Sequence, residues 1–455
     1  MKRVATLRGG PIHDAAAAIQ NVAPAHWEGA LSAASAKGIE IIGLGHHLGC
    51  GDRVSVDDPA GKCRFFEIVS VAGDIVRAEP FSSIVGCVPG GLVRSNIGAS
   101  SASLAVSDTW LGRVIDPFGR PLDGGAAPAV GPRRRPTRAA PPVATERARL
   151  GRRISMGVRA LDLFATCRHG QRIGLFAAAG VGKSTLLAML ARNADCDVIV
   201  FAMIGERGRE IREILEDDLG PDGVARSVVV VATADASALM RREAAYAAMT
   251  IAEHFRDLGK NVLLLVDSIT RYCHALREIA LSAGEPPASR GYPPSVFAEL
   301  PRLLERAGPG PAAAARVGQM SAVVTVLVDG DDLNEPIADS IRGLLDGHVV
   351  LDRKIAERGR FPAVNVGRSL SRTVPACNSP EENVLSSKAR LMLDTYADAS
   401  DLVRMGAYRS GSDAAVDQAL LLAPQIEEIL RQGRDERSDL ASAFSQLNAA
   451  IGASA

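Results

Sequence analysis

Five apolar runs between about residues 155 and 380 constrain this chain more than any other feature: "QRIGLFA", "CDVIVFAMI", "SVVVVAT", "NVLLLVD" and "SAVVTVLVD". Each is rich in β-branched residues and apolar at nearly every position. A strand with one wet face alternates, so runs like these predict strands covered on both faces. Helical stretches separate them, and the region reads as a parallel sheet between helix layers, an α/β fold.

The flanks read differently. From about residue 38 to 105, short β-like runs such as "IEIIGL" and "CRFFEIVSVAG" are punctuated by Gly-rich turns, predicting a small β-barrel or sandwich. A proline-rich stretch, "APAVGPRRRPTRAAPPVATERARLGRR", reads as linker without packed regular structure, and its Arg133–Arg135 run as solvated. "AGPGPAAAAR", 307–316, reads as a flexible loop. Beyond 381, Leu422, Ile426, Ile429 and Leu430 share one helical face, as do Leu440, Phe444 and Leu447. The expected organisation is therefore an N-terminal segment 1–25, a β-barrel domain 26–110, a connecting segment and linker 111–154, an α/β domain 155–380 and a helical domain 381–455.

With 455 residues, several domains are expected. The 52 basic residues balance 52 acidic ones and aromatics make up 4% of the chain. Such a chain is not held on nucleic acid by bulk charge or by broad stacking surfaces. Seven scattered cysteines with no C-x-x-C pair read as free thiols in a reducing cytosol. The start has no apolar signal-peptide core, and no run approaches a membrane span.

Three motifs carry chemistry. In "LFAAAGVGKST" a strand meets a helix at a Gly-Lys-Ser triplet, the context of a phosphate-binding loop. Backbone N–H groups from Gly180 through Val181, Gly182, Lys183 and Ser184 to Thr185 can surround a phosphate chain at the helix start. Lys183 suits the β- and γ-phosphates, and the Ser184 hydroxyl suits Mg2+. The strict pattern asks for glycine where Ala177 stands. Second, "VIVFAMIGERGRE" delivers Glu206 at a strand's carboxyl end, where a carboxylate can polarise water and Arg207 and Arg209 can approach phosphate. The alternative is a surface charge cluster capping the next helix. Third, "NVLLLVDS" ends a buried strand in Asp267, the Walker B arrangement that holds Mg2+. Lys183 and Asp267 lie 84 positions apart with Glu206 between them, an order that fits one ATPase core.

With these residues placed, the chain resembles the type III protein-export ATPases, flagellar and virulence-type, which are related to rotary ATP synthase subunits. The resemblance rests on "WLGRVIDPFGRPLDG", "GERGRE", "VDSITRYCHALREIAL", "GEPPASRGYPPSVFAELPRLLERAG" and "DGDDLNEPIADSIRGLLDGHVVLDRKIAERGRFPAVNV". It implies an N-terminal β-barrel, a central RecA-like P-loop domain and a C-terminal helical domain. It also implies Glu206 as the carboxylate that activates water, and Arg207 and Arg271 near the γ-phosphate. Arg372 in "SLSR" becomes the arginine finger for a neighbouring subunit, and Phe361 packs on adenine. The family's usual loop reads A-G-S-G-V-G-K-[ST], so Ala177 is ordinary. The departures are Ala178 for glycine and Ala179 for serine. If position 178 needs a positive φ, alanine there costs about 1 kcal/mol or more.

The implied function is Mg-dependent ATP hydrolysis by a cytoplasmic homohexamer at the inner-membrane export apparatus, unloading export substrates and chaperones at the export gate. The implied cofactors are ATP and Mg2+. The implied partners are a stator-like regulator at residues 1–25, a coiled-coil stalk at the C-terminal domain and export-gate membrane proteins, with no nucleic acid. The loop form "GVGKST" leans towards the flagellar system. The alternatives are a virulence-type secretion ATPase, a rotary synthase subunit, a ring subunit that binds nucleotide for structure only, and an RNA translocase.

Overall fold

The computed structural model describes residues 26–35, 38–96, 102–328 and 332–452. The segment 1–25, with its expected regulator, lies outside the described residues. Six strands, β1 (His26–Ser35), β2 (Gly38–Ile42), β3 (Arg53–Asp57), β4 (Cys63–Ala72), β5 (Ile75–Pro80) and β6 (Leu92–Asn96), close into a barrel in the order β1-β2-β5-β4-β3-β6. Alternate residues such as Ile39 and Ile41, or Val54 and Val56, point inward and fill it.

The central sheet contains β7 (Arg113–Ile115), β8 (Arg172–Ala177), β9 (Val198–Glu206), β10 (Ser227–Thr233), β11 (Asn261–Asp267), β12 (Gln319–Leu327), β13 (Gly347–Leu351) and β14 (Val364–Ser371). Their order is β14-β13-β8-β12-β11-β9-β10-β7, parallel except for the antiparallel β13–β14 edge. Side chains of one strand feed two cores. Leu263 and Leu265 join Leu187, Leu190 and the C-terminal residues Leu422 and Ile426. Val262, Leu264 and Val266 join Ala248, Tyr272 and Leu300 on the other face. This two-sided burial is why the runs show no alternation.

Helix α1 (Lys183–Asn193) follows β8, and α2 (Ala238–Asp257), α3 (Ile269–Ser282) and α4 (Pro294–Leu304) cover the second face. Three helices close the chain: α5 (Pro380–Arg404), α6 (Ala414–Leu430) and α7 (Leu440–Gly452). A capping box at Ser379 and Glu382 starts α5. The faces expected from periodicity turn inward, with Leu422, Ile426, Leu430 and Leu447 fully buried.

The expected connecting segment and linker, 111–154, does more than connect. Its residues 113–115 form β7, which extends the central sheet by pairing with Val228–Val230. Its prolines do keep it largely irregular, yet charged side chains pin it down. Arg138 pairs with Glu67 of the barrel and, at 2.9 Å, with Glu243 of α2. Arg53 and Arg242 reach the same two carboxylates at 2.5 and 2.6 Å. Arg306, almost without exposure, binds Glu253 at 2.7 Å and donates to the Thr137 carbonyl. Two buried acids shared among three guanidiniums tie barrel, linker and α/β domain together. Removing one member would strand a charge, at a cost of about 3–5 kcal/mol. Within the arginine run, Arg135 holds Asp257 at 2.6 Å rather than lying free in solvent. The 307–316 stretch also packs: Gly308 and Pro309 pair with β12, and Ala312 N–H donates to the Glu146 carbonyl.

In the loop between β8 and α1, Gly180 and Gly182 take φ of 78° and 89°, the left-handed region where a side chain is strained. Ala178 does not: among the described residues the one non-glycine with positive φ is Arg290. Ala178 is instead buried against the core, and Ala179 is exposed. The condition under which Ala178 would handicap the loop is therefore not met. Ala178→Gly should leave ATP turnover unchanged and lower stability by about 0.4–1 kcal/mol through the more flexible unfolded chain. Steady-state turnover and a denaturant titration check both, and faster turnover in the variant would contradict the backbone argument.

Candidate nucleotide site

The site forms where β8, β9 and β11 end on one edge of the sheet, as ligand sites do in open α/β folds. Gly182 starts α1 in the left-handed conformation, and no side chain caps the first turn. The first N–H groups of α1 thus remain as donors, aligned with the positive end of the helix dipole. Val181 is buried and anchors the loop, while Ser184 and Thr185 sit at the helix start.

Lys183 Nζ lies between two acids. It contacts Asp267 Oδ1 closely and Glu206 Oε1 at 3.5 Å. Asp267 has no solvent exposure, and its second oxygen, Oδ2, is buried without a hydrogen-bond partner. An orphaned buried carboxylate oxygen beside the Ser184 helix start fits a hard divalent cation such as Mg2+. Among the described residues, no group of three or more His, Cys, Asp or Glu side chains could hold a metal by itself. Phosphate and water oxygens would have to complete such a shell.

Glu206 owes its place to a bulge. The β9–β10 register shifts between Ile204 and Glu206, with Gly205 at φ 72° between them. A Cβ on Gly205 would also press on the stem of Arg271 at 3.1 Å, so glycine is favoured on both counts. The bulge turns the carboxylate towards Lys183, a common use of bulges beside active sites. Burial raises the Glu206 pKa above its ordinary value; Lys183 opposes that rise and Asp267 adds to it.

The other expected residues divide. Arg271 is exposed in the first turn of α3 with its stem on the bulge. Arg207 is exposed and paired with Glu210 at 3.3 Å. Phe361 is 46% exposed, and its ring lies about a van der Waals contact, 3.5 Å, from where a Cβ on Gly182 would be. An exposed aromatic beside the loop is not a core residue. Arg372 stands apart. It follows Ser371, which pairs with Gly347 at the start of β13, and its N–H donates to the Asp346 carbonyl beside Arg172. That is the amino-terminal edge of β8, on the order of 16 Å along the strand from the loop. Within one chain, Arg372 does not join the Lys183 cluster.

Two residues were invisible to motif reasoning. The N–H of Gln432 donates to the Phe361 carbonyl at 2.9 Å. Its side chain accepts from Arg159 N–H at 2.9 Å and donates to Gly157 O at 2.9 Å, fixing the aromatic wall. Thr325 donates to Asp267 at 2.7 Å. A lone Gln after a helix and a lone Thr inside an apolar strand give no local signal.

Residues 157–371 match the ATP synthase alpha/beta family, nucleotide-binding domain, and 378–449 match the T3SS EscN ATPase C-terminal domain. The chain is 46% identical to the flagellum-specific ATP synthase of Caulobacter vibrioides over 95% of its length and 97% of the relative's. It is 47% identical to the SPI-2 type 3 secretion system ATPase of Salmonella typhimurium over 81% of its length and 83% of the relative's. The assembled ATPase EscN of enteropathogenic E. coli, in complex with its central stalk EscO, superposes with a TM-score of 0.84 at 38% identity, covering 93% of this chain and all of EscN. A lysine between two strand-end acids, in a chain alike from barrel to C-terminal helices, makes this protein an ATPase belonging to the type III protein-export ATPase family.

Proposed function

We propose that this chain hydrolyses ATP in a homohexameric ring that energises flagellar protein export. The observation that carries it is the 46% identity to a flagellum-specific relative across 95% of the chain. In this reading the N–H groups from Ala178 to Thr185 and the Lys183 ammonium hold the phosphates. Ser184 and Asp267 hold Mg2+, which supplies charge screening at the phosphate oxygens. Phe361 packs on adenine. Glu206 accepts a hydrogen bond from the attacking water and orients it. Arg207 and Arg271 lie near the γ-phosphate. The distance of Arg372 from its own loop supports service to a neighbouring subunit.

The partners follow the relatives. The assembled state and central stalk of EscN support a ring with a coiled-coil stalk at the C-terminal helices. Export-gate membrane proteins, export substrates, chaperones and a regulator at residues 1–25 complete the expected set. Among the described residues no helix is long and apolar enough to cross a membrane. A cytoplasmic protein peripheral to the inner-membrane export apparatus agrees with that. Effector secretion is the second reading; its 47% identical virulence-type relative matches over 81% of the chain against 95% for the flagellar one, so it is not the favoured reading.

Deleting the gene separates the two: flagellar export predicts lost motility with intact effector secretion, and the reverse pattern selects the second reading. Glu206 works ionised, and burial raises its pKa, so kcat/KM should fall as pH drops through a value above the ordinary 4.5. Glu206→Gln should bind ATP, lose hydrolysis by orders of magnitude and lose that acid limb; retained turnover refutes the base assignment. Arg372→Ala should be inactive alone yet regain activity in mixed rings with a Lys183→Ala chain, because each then supplies what the other lacks. Mixed rings shown to form but staying inactive would refute service in trans.

A further inference from the structure

Asp267 and Thr325 are neighbours by register. Strands β11 and β12 pair in parallel with Val266 opposite Val324, so the next positions project from the same face. Thr325 has no exposure, and its hydroxyl lies 2.7 Å from Asp267 Oδ1. An ionised carboxylate has no proton to give, so the hydroxyl is the donor. The Val266 carbonyl, at 3.2 Å, competes for the same proton and is the weaker acceptor. The oxygen that Thr325 binds is also the one that meets Lys183. The other oxygen, Oδ2, is buried and has no partner.

We propose that Thr325 is a positioning residue for the metal carboxylate: its hydroxyl pins Oδ1 and so presents Oδ2 to the divalent cation. The proposal rests on the reading of Asp267 as a metal-holding residue. The physical need is clear from the side chain. The terminal torsion of an aspartate is broad, so the strand alone does not orient the carboxylate plane. Lys183 cannot serve as a permanent clamp, because its ammonium is also the group that meets phosphate. Once nucleotide draws it away, Thr325 is the remaining bond on Oδ1. Partners that orient a metal ligand typically change metal affinity by about 10–100-fold. If Thr325 merely satisfied its own buried hydroxyl, its loss would affect stability and leave metal binding alone.

The test uses the full-length protein with Thr325→Val, Thr325→Ser and Asp267→Asn. Binding of Mn2+ in the presence of ADP is read by electron paramagnetic resonance, ADP binding in EDTA by calorimetry, and folding by thermal melting without metal. Thr325→Val should weaken Mn2+ binding by about 10–100-fold with ADP binding in EDTA unchanged. Thr325→Ser, which keeps the hydroxyl, should bind Mn2+ like the parent protein. Parent-like Mn2+ binding by Thr325→Val, alongside a loss in Asp267→Asn, overturns the role of Thr325 and leaves the metal reading standing. Parent-like binding by both variants overturns the metal reading and the proposal with it. Equal losses in Thr325→Val and Thr325→Ser also overturn the proposal, since the hydroxyl would then not be the cause. Should Thr325→Val fail to fold, Thr325→Cys, of similar size and only a weak donor, replaces it with the same expected loss and the same overturning result.

Discussion

The fully buried carboxylate of Asp267, facing the ammonium of Lys183, is the contact on which the site depends. A carboxylate with no exposure needs a compensating charge and hydrogen bonds, because desolvation costs several kcal/mol. Here the compensation comes from two different elements, Lys183 at the head of α1 and Thr325 on β12; Glu206, held nearby by the bulge in β9, is a like charge that shares the same ammonium. The parallel sheet makes this possible. It brings the carboxyl ends of β8, β9 and β11 to one edge, and its dry faces keep the local dielectric low. Lys183 stands where positive charge is required, between the two acids.

A second set of buried charges serves a different end. Glu67 on the barrel and Glu243 on α2 share Arg53, Arg138 and Arg242. The arginines outnumber the acids, and their planar forks supply donors to Glu67 Oε2 and to both oxygens of Glu243. The joint links a barrel strand, an irregular segment and a helix of the α/β domain. Movement of one against the other would expose or unpair these groups, so barrel and α/β domain behave as one body at this contact. Burying such a network is weak evidence for stability by itself; its value lies in fixing orientation.

The site's chemistry types were legible from local strings, but the geometry was legible only in part. Lys183, Glu206 and Asp267 are named by their strand-end contexts, and the structure brings them together. The position of Phe361 over the loop and the remoteness of Arg372 follow from sheet order, which no local pattern encodes. The connecting segment before the linker gave no sign of β7 because three residues are too few to show a period. The linker expectation missed Arg138 and Arg306 as anchors, since a buried arginine and a solvated one look alike in sequence.

The sequence by itself determined the α/β class, a small all-β unit before it, the helical C-terminal faces and the residue types suited to phosphate. Those properties depend on periodicity, turn residues and short motifs, all of which act over a few positions. Only the tertiary structure decided that Ala178 needs no glycine conformation, that Thr325 donates to Asp267, and that Gln432 binds the backbone of Phe361. Each of these depends on a backbone angle or on a partner distant in the chain. Register and packing set such relations, and a linear string of residues carries them only implicitly.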